Sequence, residues 1–247
     1  MIFRKTKKEF DKKLIFIIGS GRSGTHLLGR TLASNELVES FIEDKKFFDP
    51  ITKLATGQDK NTANYQKILK NYKKHFSRSK KNIILEKTHP NIWFVEDLIN
   101  YFPEAKCIGI SRNVYATVSS MLNHSGVLSW YKILDLNIEN QFLGITKENK
   151  DWFKDLSIES KCAYRWISHI KRLNHLKKTY PQSVKVIDYD LFYDDQPRLI
   201  EDIKSFIGID IDLKAEPLKK AGTEKWKTFL TKEQINNIDA IVSQATF

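Results

Sequence analysis

With 247 residues, 41% hydrophobic and 12% aromatic, the chain carries enough apolar material for a full core and matches neither a disordered nor a fibrous composition. Its formal net charge of +11 comes from 41 Lys and Arg against 30 Asp and Glu. Only eight of those cations are arginine and the lysines are scattered, so the excess reads as solvated faces with a pull on small polyanions, and no nucleic-acid partner is expected.

The stretch MIFRKTKKEFDKKLIFII is basic and then briefly apolar. Its apolar run is only five residues long and leads into a Gly-rich turn, so it reads as a first strand and not as a leader peptide. No stretch approaches the ~18 apolar residues of a membrane-crossing helix. A cytoplasmic protein without a transmembrane segment is the expectation. Two cysteines, Cys107 and Cys162, make no disulfide framework, and no His/Cys cluster has zinc-ligand spacing, so no metal is expected.

LIFII (14–18) has the length and unbroken apolar character of a strand buried on both faces. Leu27, Leu28, Thr31 and Leu32 then recur at helical spacing, which starts a helix near Gly24. Residues 61–77 predict an amphipathic helix, NIILEK (82–87) a strand, and NIWFVEDLINYF (91–102) a helix ending at Pro103. AKCIGIS (105–111) reads as a strand with a buried Cys107, and NVYATVSSML (113–122) as a helix. Residues 124–157 look irregular but aromatic, with Trp130, Tyr131, Phe142, Trp152 and Phe153, a length associated with lids and binding loops. Trp166 shares helical spacing with Ile170 and Leu173 and reads as core. SVKVIDY (183–189) is a strand, and PRLIEDIKSFIG (197–208) a helix closed by Gly208. The alternation predicts one α/β domain over residues 1–247, a parallel β-sheet flanked by helices that binds its ligand beyond the carboxyl ends of the strands.

GSGRSGTHLL, at the end of the first strand, has the Gly19-to-Gly24 spacing of the nucleotide-binding G-x-x-x-x-G-K-[ST] loop, but Thr25 stands where that loop has Lys. Its backbone N–H groups, the following helix dipole and the side chains of Ser23, Thr25 and His26 suit a phosphate or a sulfate, with Arg22 as the cation inside the loop. The strand 105–111 leads into Arg112, where an NTPase would place a carboxylate for Mg²⁺. Ser120 lies roughly two helical turns beyond Asn113, on the side of the helix start, so Arg112 and Ser120 can converge on a second anion. Two anion sites without a metal carboxylate describe a nucleotide phosphorylated at both ends. A P-loop kinase or NTPase with a degenerate loop is the alternative enzyme, and a basic nucleic-acid binder without catalysis the alternative of another class.

GRSGTHLL resembles the 5′-phosphosulfate-binding loop of sulfotransferases, and SRNVYATVSSML resembles their 3′-phosphate-binding motif. LEKTHPNIWFVEDLINYFPEAKCIGISRN, VKVIDYDLFYDDQPRLIEDIKSFIGI and GTEKWKTFLTKEQINNI are similar to further segments of that family. The likeness touches residues 14–45, 82–122 and 184–240. It implies a P-loop-NTPase-like sulfotransferase fold and 3′-phosphoadenosine-5′-phosphosulfate (PAPS) as sulfuryl donor. It also implies transfer to a hydroxyl or amine of a small-molecule, carbohydrate or lipid acceptor, without a metal. The implied donor contacts are Gly21, Arg22, Ser23, Gly24, Thr25 and His26 in the loop, Arg112 and Ser120 at the 3′-phosphate, and Tyr189 near the adenine. Lys220, Lys225 and Trp226 would come from a C-terminal segment that closes over the 3′-phosphate. The family often has Thr or Ser in place of His26 and an extra Gly where Glu224 or Lys225 sits.

The resemblance offers two bases for the acceptor proton. Glu43, 21 residues after Arg22, corresponds in position to the catalytic Glu of the Golgi protein-tyrosine branch, and His89 in EKTHP to the base of the cytosolic enzymes. Arg22 and the EKT–P–N pattern both belong to the Glu-using branch, which favours Glu43. Under either assignment Lys87 is implied at the sulfuryl oxygens.

Overall fold

The computed structural model describes residues 10–61, 63–214 and 224–247. Five parallel strands form one sheet: β1 (Lys13–Gly19), β2 (Val38–Ile42), β3 (Ile83–Lys87), β4 (Lys106–Ser111) and β5 (Val184–Asp188), in the order β2-β3-β1-β4-β5. On β1, Leu14, Phe16 and Ile18 pack with Phe47, Tyr72, Leu98 and Leu173 on one face. Ile15 and Ile17 pack with Leu28, Ile108 and Ile203 on the other. A strand covered on both sides needs apolar residues at every position, hence the unbroken LIFII.

The first face is covered by α2 (Lys45–Ala55), α3 (Ala63–Phe76), α4 (Val95–Tyr101) and the C-terminal half of α7 (Ile158–Thr179). The second is covered by α1 (Thr25–Leu32), the short α8 (Tyr189–Asp194) and α9 (Gln196–Ile207). Beyond the sheet, α5 (Val114–Leu122), α6 (Ser125–Ile133), the first half of α7 and α11 (Lys232–Val242) enclose a separate cluster around Val118, Phe142, Ala163 and Ile238. A single turn, α10 (Trp226–Phe229), precedes α11. The connection from β1 leads to one side of the sheet and that from β4 to the other, so the carboxyl ends of β1 and β4 form the switch point at which such sheets bind ligands.

Three segments depart from the sequence reading. β2 is an edge strand with partly exposed, polar Glu39 and Ser40, and so lacks the apolar run that marks the others. The predicted helix 91–102 begins as a 3₁₀ turn, His89–Phe94, with Pro90 inside it, and becomes α-helical only at Val95. Residues 124–157 are not an open loop. His124 caps α6 by accepting from the Val127 N–H at 3.2 Å, and Phe142 and Phe153 are fully buried packing residues, while Trp152 stays exposed. Both cysteines are buried free thiols. Among the described residues no helix is long and apolar enough to cross a membrane.

Candidate active site

The loop between β1 and α1 is shaped by two left-handed residues. Gly24, at φ 98°, forms the N-cap of α1 and supplies no capping side chain, so the first-turn N–H groups of the helix stay open. Arg22 adopts φ 77°, a conformation that costs a non-glycine residue energy. Ser23 is fully buried beside these N–H groups, and its Oγ makes no hydrogen bond. An orphaned hydroxyl beside an uncapped helix terminus is a cradle for an anion's oxygens. A Cβ on Gly24 would lie 2.3 Å from Cδ2 of Tyr189, so that ring closes directly on the loop backbone.

The second motif meets the first. The side-chain Nε of Arg22 donates to Ser120 Oγ at 3.0 Å, across 98 positions of sequence. Arg112 Nη1 donates to the Arg22 carbonyl at 3.3 Å, and its guanidinium lies 4.4 Å from the centroid of Tyr189. Ser120 therefore faces the helix start as its spacing predicts, but its partner in the structure is Arg22 and not Arg112. The Arg112 carbonyl accepts from the Trp166 indole at 2.9 Å, so half-buried Trp166, packed against the cluster around Val118 and Ala163, also supports this motif. On the far side of α5, Trp226 stacks on Tyr115 with centroids 4.6 Å apart. Lys225 is the N-cap of α10, and Lys220 lies outside the described residues.

Glu43 stands at the centre of a third group. Register pairs Ile42 with Lys87, so the ends of β2 and β3 emerge side by side, and the Glu43 N–H donates to the Lys87 carbonyl at 2.9 Å. Glu43 takes φ 49°; it and Arg22 are the non-glycine residues with positive φ among the described residues, and both lie here. Its Oε1 receives Lys87 Nζ and lies 3.2 Å from His89 Nδ1, while its Oε2 lies 3.2 Å from His26 Nε2. Burial alone would push the Glu43 carboxyl up. Hydrogen bonds from His26 and His89, with the charge of Lys87 and, in acid, that of protonated His89, overcome it and hold the group well below the usual carboxylate range. Burial pushes His89 down to about 4, so its ring is neutral near pH 7 and Nδ1–H donates to Glu43.

A family model for the sulfotransferase domain matches residues 12–220. The chain belongs to the sulfotransferase family. The sulfotransferase of Alicyclobacillus acidocaldarius is 16% identical with a TM-score of 0.51, covering 95% of this chain and 97% of that one. The sulfotransferase domain of a Synechococcus olefin synthase is 13% identical at 0.57, with all of each chain covered. A mouse sulfotransferase complexed with PAP is 16% identical at 0.56, covering 96% of this chain and 84% of its own. At such identities the likeness speaks for the fold. A comparison with curated proteins finds no match.

Two residues of this sulfotransferase escaped the sequence reading. Glu86, 1% exposed, accepts from the Thr88 N–H at 3.2 Å, the Thr88 hydroxyl and Asn91 Nδ2 at 3.0 Å. Asn91 also bonds Tyr65 at 2.9 Å and Tyr72 at 3.1 Å, which anchors the turn bearing Lys87 and His89 to α3. Burial raises the Glu86 carboxyl to about 7 against these hydrogen bonds. The other is Arg165, wholly buried on α7. Its signal was its chemistry: a buried position in a helix is seldom filled by an unpaired arginine.

Proposed function

We propose that the chain transfers a sulfuryl group from PAPS to a hydroxyl or amine of a small-molecule, carbohydrate or lipid acceptor. The observation that carries this reading is the direct join of the two anion motifs through Arg22, Ser120 and Arg112. Side chains from the ends of β1 and β4 that touch each other suit one ligand with an anionic group at each end. The PAP held by the mouse relative supports the same ligand class.

Ser23, the open first turn of α1 and Arg22 would hold the phosphosulfate. Arg112 and Ser120 would hold the 3′-phosphate, with Lys225 and Trp226 approaching from the C-terminal segment and Tyr189 bordering the nucleotide. Bound there, PAPS supplies the sulfuryl group, whose bond to the phosphate oxygen breaks as one to the acceptor oxygen or nitrogen forms. Glu43 takes the acceptor's proton, and His89 orients that carboxylate through Nδ1–H. Lys87, bonded to Glu43 here, turns toward the sulfuryl oxygens in the reacting complex. Losing Lys87 removes one of the groups that depress the Glu43 carboxyl, so the base strengthens as the substrates assemble. Arg22 neutralises charge on the departing oxygen, a contribution of the kind worth ~10²–10³ in rate.

Incubation with ³⁵S-labelled PAPS in EDTA, against a panel of phenols, alcohols, sugars and amines, tests this. Label in an acceptor together with released adenosine 3′,5′-bisphosphate is expected. Phosphoryl transfer from Mg-ATP to the same panel, without sulfuryl transfer, would overturn it.

A further inference from the structure

Arg165 is the largest fully buried side chain among the described residues. Its guanidinium carbon lies 4.5 Å from the centroid of Trp130 and 4.4 Å from that of Phe142. None of its Nε, Nη1 and Nη2 makes a hydrogen bond of good geometry; the neutral Tyr131 phenol beside it favours the charged form. No carboxylate of the described residues contributes to its electrostatic surroundings. Cation–π attraction returns only part of what a guanidinium loses on leaving water, so this cation stays uncompensated within the chain.

Its position gives the cation a direction. Seen from the point where a Cβ on Gly21 would stand, Arg165 Nη2 is 3.6 Å away and His89 Nε2 is 3.0 Å away. His89 Nε2 is also buried without a partner, and so is Nε2 of His169, one turn beyond Arg165. The opposite edge of the His89 ring contacts Glu43. Two unpartnered nitrogens, Arg165 Nη2 and His89 Nε2, thus lie beside Gly21, one imidazole's width from the carboxylate proposed to take the acceptor proton.

We propose that Arg165 is an acceptor-specificity residue, and that the acceptors of this enzyme carry a carboxylate that Arg165 binds through Nη2 on the side of Gly21 and His89. The planar guanidinium fork matches a carboxylate's two oxygens, and Trp130 and Phe142 hold that fork in place. The inference rests on the sulfotransferase reading only in naming the ligand as the acceptor.

The test is calorimetric titration of the full chain, with and without adenosine 3′,5′-bisphosphate, using 4-hydroxyphenylacetate and its uncharged amide. The acid should bind about tenfold or more tighter, the gain of a charged over a neutral partner. Arg165→Lys should lose most of that preference and Arg165→Met all of it, both keeping wild-type bisphosphate affinity and a melting temperature no lower than that of the wild type. Equal binding of acid and amide, or binding of neither while the bisphosphate binds, would overturn the proposal. So would Arg165→Met that fails to fold beside Arg165→Lys with an unchanged acid preference, because the cation would then serve packing. Acid preference without bisphosphate binding would sink the donor reading and leave this inference standing.

Discussion

Replacing Glu86 by Gln should change the pH dependence of stability more than the stability itself. The carboxyl is 1% exposed, and burial raises it to about 7 from an ordinary 4.5. Between those values the folded protein keeps the proton that the unfolded chain has lost. A group raised in this way contributes stability that is fully present below 4.5 and is lost as pH climbs through about 7. At about 1.4 kcal/mol per pH unit, that interval amounts to roughly 3 kcal/mol. Gln is neutral throughout, and its amide oxygen can still accept from Thr88 and Asn91 while its NH₂ group donates to the Tyr72 oxygen. The variant should therefore match the wild type below about pH 4 and exceed it by roughly 3 kcal/mol at pH 8. His89 works in the opposite direction: burial lowers it from 6.5 to about 4, so its contribution is lost as pH falls through that range. Both proteins share that loss, and it cancels in the difference. Urea unfolding at several pH values, compared at constant m, reads the effect. Parallel stability curves for the two proteins between pH 5 and 8 would refute the reasoning.

Gly24→Ala places a Cβ at φ 98° and 2.3 Å from the Tyr189 ring, which costs roughly 1–2 kcal/mol from the backbone alone; a lower melting temperature and loss of bisphosphate binding are expected, and unchanged affinity would show that the loop does not hold the ligand. Glu43→Gln should cut turnover by ~10²–10⁴ as the loss of a general base, with substrate binding little changed. His89→Ala should cost less, since His89 acts by orienting Glu43; the reverse ranking would make His89 the base.

The fold was legible wherever a strand is covered on both faces, because burial then writes itself into consecutive apolar residues, as in LIFII and AKCIGIS. It was illegible at β2, whose partly exposed edge position leaves Glu39 and Ser40 where a buried strand would have Ile or Val. The glycine spacing marked the loop, since its left-handed turn at Gly24 admits few other residues. The left-handed conformations of Arg22 and Glu43 had no local signature, since tertiary contacts impose them. Which side chains meet at Glu43 depends on the pairing of Ile42 with Lys87, which brings together residues 44 positions apart. Helical spacing placed Ser120 on the correct face but did not say that Arg22 would reach it first. Trp166 and Arg165 sit in a helix whose spacing reads as packing, and only the structure shows one bonded to Arg112 and the other without a partner.

We propose that the loop after β1 and the motif after β4 hold one nucleotide phosphorylated at both ends. Calorimetric titration with adenosine 3′,5′-bisphosphate in EDTA, beside ATP with Mg²⁺ and with Arg112→Ala as control, tests it most directly. Tight, metal-independent binding of the bisphosphate, lost in the Arg112 variant, is expected. No binding of the bisphosphate, or a preference for Mg-ATP, would contradict it.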